Sequence, residues 1–134
     1  MIVDTSALVA ILRGEPLAAA LTAALLGDPD PQISAATVVE LYAVADQRGH
    51  PAQSRRVDAL LTELGVRVVP FTADQARLAR EAYRDYGRGS GHRARLNLGD
   101  CFSYALAAAT GQPLVFVGDD FSHTDLTSWT TQPD

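Results

Sequence analysis

Four carboxylates, Asp4, Glu40, Asp100 and Asp119, each stand just beyond an apolar β-type run or in the first turn of the helix that follows one. In an open parallel sheet, residues placed that way meet in one crevice at the carboxyl ends of the strands. Like charges crowded there push one another's pKa values upward unless a cation neutralises them. Oxygen ligands without a histidine or cysteine among them select Mg²⁺, with Mn²⁺ as a substitute, over zinc. A cation held this way activates a water, aligns it with a phosphorus and stabilises the leaving oxygen, so the expected substrate is a phosphodiester.

The elements that must carry these acids follow from apolar periodicity. Ile2-Val3 reads as a short buried strand ending at Asp4, followed by a helix over Thr5 to Leu12 that breaks at Arg13-Gly14-Glu15-Pro16. A helix over Leu17 to Leu26 and a turn lead to a second strand at Ile33 to Ala36, and Thr37 starts a helix that runs to Gly49. His50 sits in the turn before Pro51, which opens a helix ending at Leu64-Gly65. Val66 to Phe71 reads as a third strand, Thr72 or Ala73 to about Tyr86 as a long helix, and Leu98 to Ala109 as an apolar helix stopped by Gly111. Leu114 to Val117 is the fourth strand, before Gly118-Asp119-Asp120-Phe121 and a polar tail carrying Trp129. Short strands alternating with helices predict an α/β fold, a short parallel sheet flanked by helices, as a single domain over residues 1–134.

Each acid also has a purely structural use. Asp4 and either Asp119 or Asp120 suit helix N-caps, Thr37-x-x-Glu40 has the spacing of a capping box, and Asn97-x-x-Asp100 is close to one. The joint pattern favours a pocket, because capping alone does not require an acid after every strand on one edge. Ser6 and Thr5 are placed to bond Asp4 or a metal-bound water. Cys101 lies about 100° round the helix from Asp100 and reads as a small buried residue.

Composition narrows the chemistry further. All eleven basic residues are arginine, which excludes a Walker A loop or a Schiff-base lysine. A lone cysteine permits no internal disulfide, and the start Met1-Ile2-Val3-Asp4 lacks a basic leader; a cytoplasmic protein with no membrane span is expected. The net charge of −5 is unevenly spread. Arg77, Arg80 and Arg84 share a helical face, and Arg88, Arg93 and Arg95 stand in a glycine-rich stretch, Gly87 to Asn97, that reads as a mobile basic loop. This set is the expected phosphate-binding surface for RNA. The competing expectation is a solvated face whose arginines pair with Glu81 and Asp85.

The runs Met1-Ile-Val-Asp-Thr-Ser-Ala-Leu, Ala36-Thr-Val-Val-Glu-Leu, Leu96-Asn-Leu-Gly-Asp-Cys-Phe-Ser-Tyr-Ala-Leu-Ala and Leu114-Val-Phe-Val-Gly-Asp-Asp-Phe together resemble the PIN-domain ribonucleases, in particular the VapC toxins of bacterial toxin–antitoxin pairs. The resemblance spans essentially the whole chain, with the motifs in family order. It implies a PIN fold and a Mg²⁺-dependent endoribonuclease, inhibited by a VapB antitoxin and forming a homodimer. It carries catalytic roles to Asp4, Glu40 and Asp100, with Asp4 and Asp100 as direct metal ligands. The fourth acid matches Asp119 by strand alignment and Asp120 through Phe121. The alternative is a catalytically weak RNA-binding or antitoxin-binding module that keeps the pocket.

Overall fold

Four strands of two or three residues can sit at the centre of this chain only because helices cover both sides of the sheet they form. A computed structural model describes residues 1–46 and 51–129. The helix end expected at Gly49 and the turn at His50 lie outside the described residues. The order is β1 (Ile2–Val3), α1 (Thr5–Leu12), α2 (Ala18–Gly27), β2 (Gln32–Ser34), α3 (Ala35–Asp46), α4 (Pro51–Glu63), β3 (Arg67–Val69), α5 (Ala73–Tyr86), α6 (Leu98–Thr110), β4 (Leu114–Val115) and a 3₁₀ turn, Asp120–His123.

The strands pair in the order β3-β2-β1-β4, all parallel, with Ile2 beside both Gln32 and Leu114 and Val3 beside Val115. Successive strand residues point to opposite faces. Ile2 and Leu114 therefore enter a core with Ala79 and Ala82 of α5 and Leu106 of α6, while Val3, Ile33 and Val115 enter a second core with Leu8, Leu21, Leu41 and Val57 from α1 to α4. Each fully buried leucine or valine contributes about 1.5–3 kcal/mol relative to exposure. The chain progresses from β1 to β3 on one side and returns to place β4 on the other. The carboxyl ends of β1 and β4 thus flank the switch point where such sheets open a crevice.

The expected fold is observed, with local differences. β2 ends at Ser34, whose hydroxyl accepts from the Ala36 N–H at 3.2 Å, so α3 begins at Ala35 rather than Thr37. The stretch expected to be a mobile loop is tied at its neck: Arg88 N–H donates to the Leu96 carbonyl and Leu96 N–H to the Tyr86 carbonyl, at 2.9 and 2.8 Å. Leu96 and Ala94 are buried and anchor it to the α5–α6 core. The polar tail also folds back, Leu114 exchanging bonds with Thr127 and Trp129, and Trp129 packs on the α1–α4 core.

Candidate active site

Asp4 leaves β1 and is at once the N-cap of α1 and a buried carboxylate, 3% exposed. Its Oδ2 accepts from Ser6 N–H at 3.0 Å and from the Ser6 hydroxyl at 2.7 Å. Its Oδ1 accepts from the Ser103 hydroxyl of α6 at 2.6 Å. The Ser6 oxygen in turn accepts from Val117 N–H at 3.0 Å, which fastens the start of α1 to the end of β4. Capping and pocket formation, alternatives on sequence alone, are one arrangement.

Glu40 projects from α3 and does not serve a capping box, because Thr37 lies inside the helix. Its Oε1 accepts from the Thr5 hydroxyl at 2.6 Å, so Thr5 serves Glu40 and Ser6 serves Asp4. Burial raises its pKa, the Thr5 bond opposes that, and the charge of Asp4 adds to it. The other oxygen lies against Gly99 in the first turn of α6, where any Cβ would overlap Glu40 Oε2. Glycine there leaves room for the Glu40 carboxylate to lie over the first turn of α6, so a larger residue would have to turn that carboxylate away.

Asp100 forms the expected capping box with Asn97: Asn97 N–H donates to Asp100 Oδ2 at 2.9 Å and Asp100 N–H to Asn97 Oδ1 at 2.8 Å. Burial pushes its pKa up to about 7; the Asn97 N–H opposes this, while the charges of Asp4, Asp120 and Glu40 add to it. Asp120, at the start of the 3₁₀ turn, therefore acts on the pocket electrostatically. Asp119 is the exposed N-cap residue of the same turn and makes no side-chain cap bond.

The cluster brings three carboxylates into one another's field, and among the described residues no ion pair balances them, which suits a bound cation. Among the described residues no three histidine, cysteine, aspartate or glutamate side chains stand close enough to clasp an ion by protein atoms alone. An all-oxygen donor set of one or two carboxylates with several waters is how Mg²⁺ is usually held, so Asp4 and Asp100 fit that ion. Sequence pattern does not single out Ser103 or Gly99. The one hint is spacing: Thr37 precedes Glu40 by one helical turn and Ser103 follows Asp100 by one.

The arginine surface is of a different kind. Arg77 pairs with Glu81 at 3.3 Å and Arg84 with Asp85 at 2.8 Å, all well exposed. Among the described residues no such pair engages Arg80, Arg88, Arg93 or Arg95, which are exposed. His92 stacks edge-on against Tyr86 with ring centroids 4.9 Å apart and accepts from Ala94 N–H, holding the loop rather than facing solvent freely. Cys101 is fully buried, its thiol pushed up to about 12 by burial and then by the charge of Asp100.

Residues 1–126 match the PIN domain family. Ribonuclease VapC42 of Mycobacterium tuberculosis is 59% identical over 126 residues, covering 94% of this chain and 96% of that protein. The fold is similar to that of the Mycobacterium tuberculosis toxin VapC20, described as cleaving the sarcin-ricin loop, with a TM-score of 0.73 at 21% identity over 97% of this chain and 98% of that one. A toxin–antitoxin complex from Klebsiella pneumoniae gives 0.70 at 21% identity, covering 92% of each chain.

Proposed function

This chain belongs to the PIN-domain family, as a VapC ribonuclease toxin of a toxin–antitoxin system, and we propose that it hydrolyses RNA phosphodiester bonds at the pocket formed by Asp4, Glu40, Asp100 and Asp120. The observation that carries the assignment is geometric: Asp4, Glu40 and Asp100 are gathered by β1, α3 and α6 into one largely buried cluster, where burial first, and then the charges of Asp4, Asp120 and Glu40, raise the Asp100 pKa. Family membership points to metal dependence, and the all-oxygen donor set supports Mg²⁺, with Mn²⁺ as a substitute. The bound ion would activate a water and stabilise the leaving oxygen.

The chain's own residues do the rest. Asp4 and Asp100 would hold the cation, Asp4 on a carboxylate that three donors keep from turning. Glu40, kept in place by Thr5 and by the closeness of Gly99, is the group placed to orient the attacking water and take its proton. Asp120 rather than Asp119 serves as the fourth acid, on the pocket's solvent side. Arg80, Arg88, Arg93 and Arg95 draw the RNA backbone by neutralising phosphates, with Arg77 and Arg84 contributing less because their charges are already paired.

The toxin's partner on this reading is a cognate VapB-type antitoxin, and the toxin itself is a cytoplasmic homodimer. An open cleft between α1, α3 and α4, lined by Val9, Leu12, Leu41, Val44 and Ala45 with Arg13 and Arg56 at its edge, suits an amphipathic helix of that antitoxin. An arginine from the same partner, reaching the acids, would bind carboxylates bidentately and compete with metal. Among the described residues no helix is long and apolar enough to cross a membrane. The test is cleavage of RNA by purified toxin in Mg²⁺, in chelator, and with Asp100→Asn. Cleavage that persists in chelator or in the variant rejects the assignment.

A further inference from the structure

Beneath the acids lies a buried chain of two hydroxyls that the capping and metal-binding roles leave unexplained. Ser103 is 1% exposed and Thr37 fully buried, on two different helices, and their oxygens are 3.3 Å apart. Ser103 has one proton, and it goes to Asp4 Oδ1 at 2.6 Å. The Thr37 hydroxyl must therefore be the donor between the two, giving a directed chain Thr37→Ser103→Asp4. A threonine in a helix ordinarily spends its hydroxyl on the carbonyl one turn back. Here it is turned toward α6 instead, so the contact is tertiary rather than local.

The two oxygens of Asp4 offer about four lone-pair positions. Ser6 occupies two on Oδ2, through its N–H and its hydroxyl, and Ser103 occupies one on Oδ1. One position remains, on Oδ1. We propose that Ser103, itself oriented by Thr37, is a positioning residue that fixes the plane of the Asp4 carboxylate and leaves a single Oδ1 lone pair that would be free to take a cation. This inference rests on the metal-dependent reading of the pocket and deepens it.

A hydrogen bond donated into a charged group is stronger than one between neutral groups, and a donor that is itself hydrogen-bonded is strengthened further. Losing the Ser103 hydroxyl frees Oδ1 to rotate and leaves the Thr37 hydroxyl facing a methyl group in a dry environment. Partners that orient a metal ligand change metal affinity or activity by about 10- to 100-fold when removed. The Thr37 hydroxyl, one bond further from the ion, is a neutral contact with an effect of about 2- to 10-fold.

The experiment measures the Mn²⁺ dissociation constant by titration calorimetry on the full chain, beside kcat and KM for Mn²⁺-dependent RNA cleavage. Ser103→Ala is expected to weaken Mn²⁺ by about tenfold or more and to lower kcat at subsaturating metal with KM for RNA unchanged. Thr37→Val, which keeps the side chain's shape, should weaken Mn²⁺ by a few-fold, and Thr37→Ser should restore most of that loss. A residue needed only for packing would give the reverse order, since Thr37→Ser removes the methyl and Thr37→Val does not. Wild-type protein that binds Mn²⁺ and cleaves while Ser103→Ala and Thr37→Val bind it equally well overturns the positioning role and leaves the metal-dependent reading intact. Wild-type protein that neither binds Mn²⁺ nor cleaves overturns both. Should Ser103→Ala melt below the assay temperature, the Thr37 pair decides alone.

Discussion

The acid pocket and the arginine face use charge in opposite ways. In the pocket Asp4, Glu40 and Asp100 are wholly or half buried. Both Asp4 and Glu40 are held by donors from other elements, Ser103 reaching Asp4 across 99 residues and Thr5 reaching Glu40 across 35, with Ser6 adding a local pair of donors to Asp4. On α5 the ion pairs are exposed and local, one and four residues apart. Buried charges need partners delivered by the tertiary fold, because a low-dielectric site penalises every unanswered lone pair. Exposed charges are answered by water and pair with whatever lies one turn away, for about 0–1 kcal/mol. Substitutions in the first region should therefore be costly and specific, and those in the second mild and additive.

The largest effect expected is loss of cleavage. Asp4→Asn and Asp100→Asn keep the shape of the side chain and remove the charge, so cleavage in Mg²⁺ should fall by at least about a hundredfold, several kcal/mol of transition-state stabilisation being at stake. Far-ultraviolet circular dichroism should be unchanged. A variant with near-normal turnover would remove the pocket from the mechanism.

Next in size is Gly99→Ala. The added Cβ meets Glu40 Oε2, so the Glu40 carboxylate must turn away from its bond with Thr5, at a cost of about 0.5–1.5 kcal/mol. Cleavage should fall clearly, because the Glu40 carboxylate is displaced, while thermal melting should change little. If Gly99→Ala cleaves like the wild type, the Glu40 carboxylate does not depend on this close approach.

The pH dependence in chelator has a definite sign. Asp100 is raised in the folded state from 3.8 to about 7, so between those values the folded protein binds more protons than the unfolded one. That contribution to stability is present at acid pH and is lost as pH rises toward 7. Metal-free protein should lose stability from this group across that interval, Asp100→Asn should flatten the profile, and Mg²⁺ should raise the melting temperature of the wild type at pH 8 by mass action. Melting curves at several pH values check all three, and a profile identical in the two proteins would contradict the crowding of acids.

The smallest effects belong to the arginines. Changing Arg88, Arg93 and Arg95 together to alanine should raise KM for RNA and make it less sensitive to salt, by roughly one counterion for each phosphate no longer neutralised. Arg77→Ala, which breaks an exposed pair, should change stability by less than about 0.5 kcal/mol and hardly alter KM. A larger loss from Arg77 than from the loop would reverse the ranking of the two parts of the basic surface.

Local pattern determined most of the architecture. Apolar runs of period two and 3.6, Gly111 at a helix end with φ +67 and the Asn97-x-x-Asp100 box all act within a few residues, and they placed the strands and helices to within a few residues of their observed ends. The same locality located Asp4, Glu40 and Asp100 at the sheet's carboxyl edge. It misplaced the start of α3 because Ser34, not Thr37, turns the chain. It also made the loop after α5 look loose, since the burial of Leu96 against a distant core leaves no local mark. What only the tertiary structure decided are contacts between residues far apart in sequence: Ser103 with Thr37 and Asp4, Glu40 over Gly99, and the pressure of Asp120 on Asp100. Propensity and periodicity report the backbone a residue prefers, whereas the orientation of a buried carboxylate is set by whichever donors the packed helices bring to it.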